Sequence, residues 1–99
     1  MKIDAKSEDL EIVRSILTKY LPSTAKVWVF GSRATGKAKP YSDLDLALDF
    51  GRPITLHEFA LLNTEFENSL LPYKVDVVDL WSVDKNFVEI INSSKTTLI

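Results

Sequence analysis

The sequence has no cysteine, which removes disulfides, thiolate nucleophiles and zinc-thiolate sites from consideration. It has one histidine, His57, in the first turn of a predicted helix, where it reads as solvent-facing. Glycine and proline are scarce, three and four residues respectively, and no repeat, long linker or low-complexity tract is present. No apolar run reaches membrane length and no signal peptide is visible, so the cytoplasm is the expected location. There is no excess of positive charge either. The formal net charge is -2 and the isoelectric point about 5.3, which offers no basic field for gripping nucleic acid, so phosphate binding is expected to be local and metal-assisted.

What remains is an ordinary globular composition, 45% hydrophobic and 26% charged. A chain of 99 residues fits one domain, residues 1–99, able to bury about 60 to 65% of its unfolded surface. Residues 7–21 carry an apolar stripe of Leu10, Val13, Ile16, Leu17, Tyr20 and Leu21, which predicts a helix capped by Ser7, with Glu8 and Asp9 at its positive end and Pro22 as its stop. "KVWVF" (residues 26–30) and "DLDLALD" (residues 43–49) read as strands, separated by "GSRATGKAKPYS", a turn or a short helical crossing. Thr55 followed by Glu58 signals a capping box for a helix running to about residue 71 through Leu56, Phe59, Leu62 and Phe66. Residues 73–81 form a third strand, and "VDKNFVEII" a last helix with Phe87, Ile90 and Ile91 inward. The tail is either a short edge strand or a frayed end. This order predicts an α/β (α+β) sandwich in which helices pack against a small mixed sheet.

The acids of the second strand fall into a pattern. With a period of two, Asp43, Asp45, Ala47 and Asp49 share one face and Leu44, Leu46 and Leu48 the other. Leucine therefore anchors the strand while the acids face an opening, Asp43 and Asp45 about 7 Å apart along the backbone. In the third strand Asp76 shares a face with Val78 and Leu80, and an acid in the middle of "KVDVV" is the more anomalous because burying an unpaired carboxylate is costly. Asp79 points the other way with Val75 and Val77 and, near the strand end, reaches solvent or caps the next segment. Asp49 reads as a loop-facing acid. Clustered acids repel one another, and a divalent cation, Mg²⁺ or Mn²⁺, is their most economical common explanation. Gly31 allows a phosphate to approach the backbone, and Ser32 offers both an N–H and a hydroxyl. Neither the Walker A spacing nor GxGxxG is present.

Taken together, "FGSRATGKAKPYSDLDLALD" and the later "VDVVDL" closely resemble the minimal nucleotidyltransferases (MNT) of the polymerase-beta-like nucleotidyltransferase superfamily. The resemblance covers about residues 27–80 and implies that superfamily's fold. Gly31 and Ser32 match its phosphate-holding pair, Asp43 and Asp45 its paired metal ligands, and Asp76 its third carboxylate. It implies transfer of a nucleoside monophosphate, AMP from ATP, to a hydroxyl with release of pyrophosphate. Two Mg²⁺ ions would be held by Asp43, Asp45 and Asp76, the last also orienting the acceptor or taking its proton. Arg33 would reach a phosphate, with Lys37 and Lys39 as more mobile candidates and Tyr41 as a loop residue or nucleotide contact.

Family members this short commonly work with an all-helical HEPN protein in toxin-antitoxin modules, the transferase adding AMP to a tyrosine of the HEPN toxin. The resemblance implies that partner here; Trp81 and the helix of Phe87 are candidate docking elements, surfaces that a homodimer could use equally well. Two alternatives stand beside it. One is a non-catalytic antitoxin or scaffold that neutralises a helical partner by binding alone, against which the intact acids weigh. The other is nucleotidyl transfer to a small molecule or RNA.

Overall fold

The computed structural model describes residues 2–99. Four strands form one sheet in the order β3-β2-β1-β4, where β1 is Lys26–Phe30, β2 Leu44–Asp49, β3 Val75–Asp79 and β4 Thr96–Thr97. β1 runs antiparallel to β2 and β4, while β2 and β3 are parallel, so the sheet is mixed as expected. The parallel pair requires a crossover. Helix α3 (Leu56–Glu67) supplies it, after α1 (Ser7–Thr18) and the single turn α2 (Ser32–Thr35), and α4 (Lys85–Asn92) precedes the edge strand formed by the tail. The "GSRATG" segment is therefore a short helical crossing.

Alternation along β2 divides the molecule into two apolar layers. Leu44, Leu46 and Leu48 are fully buried with Val27 and Val29 of β1, Leu10, Val13 and Leu17 of α1, and Leu62 and Phe66 of α3. On the opposite face a smaller cluster joins Phe30, Ala47 and Ile91, with Val78 and Leu80 against it. α4 covers this second face only in part.

Several expectations about the helices need correction. Ser7 is the first residue of α1 rather than its cap; Lys6 precedes it and makes no side-chain capping bond. α1 ends at Thr18, and the chain tightens through Lys19 and Tyr20 N–H bonds to Ile16 and Leu17 carbonyls before Pro22. Leu56, expected on the apolar stripe of α3, is 88% exposed at the first helical position, although the Thr55 to Glu58 capping box forms as read. In α4 only Ile91 is fully buried. Ile90 is 66% exposed and Phe87 38%, its ring set edge-on to Phe30 at 6.1 Å between centroids. The polar cap Asp84 accepts the Phe87 N–H at 2.9 Å and starts the helix.

Candidate active site

The sheet register brings the expected residues into one row. Asp45 of β2 lies opposite Phe30 of β1 on one side and Asp76 of β3 on the other. Asp43 comes two residues earlier, immediately before β2 begins at Leu44, so the strand is one residue shorter than the sequence pattern predicts. β1 leads directly into Gly31, whose φ of +73° lies in the left-handed region that glycine enters without strain. Its missing side chain matters as much as its torsion, because a Cβ at Gly31 would run into the Asp45 carboxylate at Oδ2. The turn then enters α2 at Ser32 and leaves it through Gly36, also left-handed at +77°.

Asp45 is half-buried, whereas Asp43 and Asp76 are exposed. Its carboxyl is pushed up to about 6, first by burial and then by the charges of Asp76 and Asp43. Asp45 thus feels the charge of both neighbouring acids. Among the described residues, however, no group of three His, Cys, Asp or Glu side chains stands close enough to hold a metal ion. The donor set still fits a hard cation that retains water and takes further ligands from a substrate: all-oxygen carboxylates on adjacent strands, one of them destabilised in its charged form by the others.

The remaining acids near the sheet have structural partners. Asp49 accepts the Trp81 indole N–H and the Gly51 N–H, each at 2.8 Å, and these bonds hold its carboxyl below the usual range. Asp79 lies on the leucine face and is only 3% exposed, so Asp79, and not Asp76, is the buried acid of β3. Its carboxylate is saturated by the Ile54 N–H (2.9 Å), the Trp81 N–H (2.9 Å) and the Ser82 hydroxyl (2.7 Å). The capping alternative is the one realised, in the interior rather than in solvent.

Arg33 departs most from expectation. It is 4% exposed, and its guanidinium is turned into the fold instead of being presented to a phosphate. Nε and Nη2 both donate to the Ser42 carbonyl (3.0 and 2.9 Å), Nη2 also to Pro40 (3.1 Å), and Nη1 to Asp4 (2.8 Å). The plane stacks 3.9 Å from the Tyr73 ring centre, and the Tyr73 hydroxyl donates to buried Asp9 at 3.2 Å. No spacing in the sequence signals these contacts: those to Asp4 and Tyr73 join residues far apart in the chain, and those to Pro40 and Ser42 are made to main-chain carbonyls of an irregular loop. Lys37, Lys39 and Tyr41 are exposed on the following loop, and His57 is exposed on α3. A cavity of about 750 Å³ is lined by residues including Asp4, Arg33, Tyr41 and Tyr73, but by none of Gly31, Ser32, Asp43, Asp45 or Asp76.

In comparison with known proteins, the family model "Polymerase beta, Nucleotidyltransferase" matches residues 11–99. The chain belongs to this nucleotidyltransferase family. Within it the chain falls with the MNT proteins: it is 44% identical over 90 residues to the "Probable protein adenylyltransferase MntA" of Haemophilus influenzae, covering 91% of this chain and 78% of that protein. The MNT fold recurs in a toxin-antitoxin crystal structure with AMP-PNP, with a TM-score of 0.78 at 21% identity over 91% of this chain and 72% of the other. It recurs again in the complex of a tri-AMPylated Shewanella oneidensis HEPN toxin with its MNT antitoxin, with a TM-score of 0.72 at 21% identity over 93% of this chain and 70% of the other. Among the described residues no helix is long and apolar enough to cross a membrane.

Proposed function

We propose that this MNT chain transfers AMP from ATP to a tyrosine hydroxyl of a helical, HEPN-type partner and releases pyrophosphate. The observation that carries the proposal is the position of Asp45, packed against the Gly31 turn on one side and paired with Asp76 on the other. A triphosphate cradle and an acceptor-side carboxylate thereby meet at one strand position. Gly31 admits the phosphates to the backbone, and Ser32 meets them with its N–H and hydroxyl, where charge develops on the departing pyrophosphate. Asp43, Asp45 and Asp76 would hold Mg²⁺, which when bound neutralises the triphosphate and lowers the acidity barrier of the acceptor.

In the transfer itself the acceptor oxygen bonds to the α-phosphorus as the bond from that phosphorus to the bridging oxygen breaks. Asp76 orients the hydroxyl and takes its proton. Exposed on the outer strand of the row, it is the acid most open to an acceptor arriving from another molecule. Arg33 has no part in phosphate binding in this scheme, because its donors are engaged by main-chain carbonyls.

The relative carries the name "Probable protein adenylyltransferase MntA", and the toxin in one structural relative is AMPylated, which supports AMP and a protein acceptor. Contact alone is the second reading, favoured by the exposed Trp81 and Ile90 and the part-exposed Phe87 on and beside α4. Co-incubation with the HEPN-type partner, ATP and Mg²⁺, followed by intact-mass measurement, separates the two. Transfer adds about 329 Da per AMP, and a D43N/D45N double variant adds none. Equal suppression of the partner by that double variant, with no mass change in either sample, replaces the enzymatic reading by contact.

A further inference from the structure

We infer that Arg33 is a positioning residue that fixes where Asp43 stands relative to the Gly31–Ser32 turn and the start of β3. The inference rests on the proposed metal-binding role of the aspartates. Three segments that must keep register converge on this one guanidinium. Arg33 itself belongs to α2, directly after the turn. Its fork closes on the carbonyls of Pro40 and Ser42, and Ser42 is the residue immediately before Asp43. Its face rests on Tyr73, from which the chain enters β3 and reaches Asp76.

The segment before Asp43 has little else to hold it. The Lys39 N–H donates to the Ser42 hydroxyl at 2.9 Å and the Ser42 N–H returns to the Lys39 carbonyl at 3.1 Å, which closes the loop on itself without attaching it to the body. Arg33 makes that attachment with two donors on one carbonyl, a geometry available to a planar fork and not to an ammonium. It also ties the N-terminal arm in reciprocally: Asp4 accepts from Nη1 at 2.8 Å and donates its N–H to the Arg33 carbonyl at 2.7 Å. Among the described residues no carboxylate accepts from the guanidinium, whose hydrogen bonds there all go to main-chain carbonyls. Its charge therefore stabilises a loop shape rather than an ion pair.

The test uses the full chain and Mn²⁺ alone as the probe. In R33K the half-saturating Mn²⁺ concentration, read by electron paramagnetic resonance, should rise about tenfold or more, the usual effect of losing a supporting contact behind a metal ligand. Amide exchange over residues 39–43 should quicken in the metal-free protein, where no ion contributes. Y73L, which removes the platform but keeps the fork, should move both readouts the same way and carries the test if R33K does not fold. R52K, at an arginine bound to Glu58 on the surface, should move neither. A folded R33K with unchanged Mn²⁺ binding and unchanged exchange at 39–43 overturns the inference. So does metal-free ATP binding that falls while Mn²⁺ binding holds, since that assigns Arg33 to phosphate. Should wild type bind Mn²⁺ no better than D45N, the metal reading of the aspartates fails, and exchange at 39–43 still decides Arg33 by itself.

Discussion

Gly31 and Asp45 are packed so closely that a Cβ on the glycine would clash with the aspartate's Oδ2. The turn and the acid therefore fit together only because residue 31 has no side chain. Alanine there meets two penalties. A φ of +73° with ψ of −154° lies in a region essentially confined to glycine and costs a residue with a Cβ about 1–3 kcal/mol, and Asp45 must move away from the turn. A misplacement of ~1 Å at a reacting centre lowers rate by roughly 100-fold. G31A should accordingly melt a few degrees lower yet lose transfer far beyond its loss of folded protein, as a thermal scan paired with a transfer assay would show. Retained transfer would mean that Asp45 does not need the turn.

Asp79 makes the opposite case, an acid whose work is structural. It accepts two main-chain N–H groups and one hydroxyl in a site that is 3% exposed, joining the segment before α3 to the turn after β3. Asparagine keeps one acceptor oxygen and places an NH₂ against donors. D79N should lose about 2 kcal/mol of stability, measured by urea unfolding, with transfer per folded molecule close to wild type. A D79N protein as stable as wild type would show that the bonds of the carboxylate are dispensable.

Most of this architecture is legible in the residue order because it obeys periodicity. Alternation in "DLDLALD" places three leucines inward and the acids outward, and the register then sets Asp45 beside Asp76. The Thr55 to Glu58 box and the third strand are local signals of the same kind. What periodicity does not carry is the partner of a polar group. Periodicity sets Asp76 and Asp79 on opposite faces of β3, but the donors that make Asp79 the buried acid, the Ile54 and Trp81 N–H groups and the Ser82 hydroxyl, are not visible in it. Arg33 beside a glycine-serine turn suggests a phosphate contact by proximity, yet Tyr73 and the carbonyls of the 39–42 loop turn it inward. Ile90 and Phe87 satisfy a helical stripe, but the small second face of the sheet has room to bury Ile91 alone.

The cap of α3 should impose a pH dependence on stability. Glu58 accepts the Thr55 N–H at 3.0 Å and two Arg52 donors at 2.8 Å, and these, Arg52 foremost, hold its carboxyl down to about 2 from an ordinary 4.5. A folded-state value below the unfolded one gives stability that is fully present above pH 4.5 and lost as pH falls through about 2. For a surface pair the size is below about 1 kcal/mol and shrinks with salt. Urea unfolding at a series of pH values should find the gap between wild type and E58Q constant near neutrality and closing between pH 4.5 and 2. A gap that widens on acidification would contradict this assignment.

Asp45 and Asp76 are neighbours in the register, but they should fail differently when neutralised. Asp45 is half-buried against the Gly31 turn and Asp76 is exposed on the outer strand, so under the proposed function the loss of Asp45 should fall on the triphosphate side and that of Asp76 on the acceptor side. D45N should weaken ATP binding in the presence of Mg²⁺ and abolish nearly all transfer. Its metal-free fold should melt no lower than wild type, because burial and two like charges already disfavour the Asp45 carboxylate. D76N should leave Mg-ATP affinity within a few-fold while turnover drops by about 100-fold or more, the usual scale for removing a proton acceptor. Calorimetry for binding and single-turnover mass measurement for transfer separate the two effects. Should D76N instead lose ATP affinity in step with turnover, Asp76 belongs with the triphosphate, and the acceptor must reach the α-phosphate from the side of Asp43.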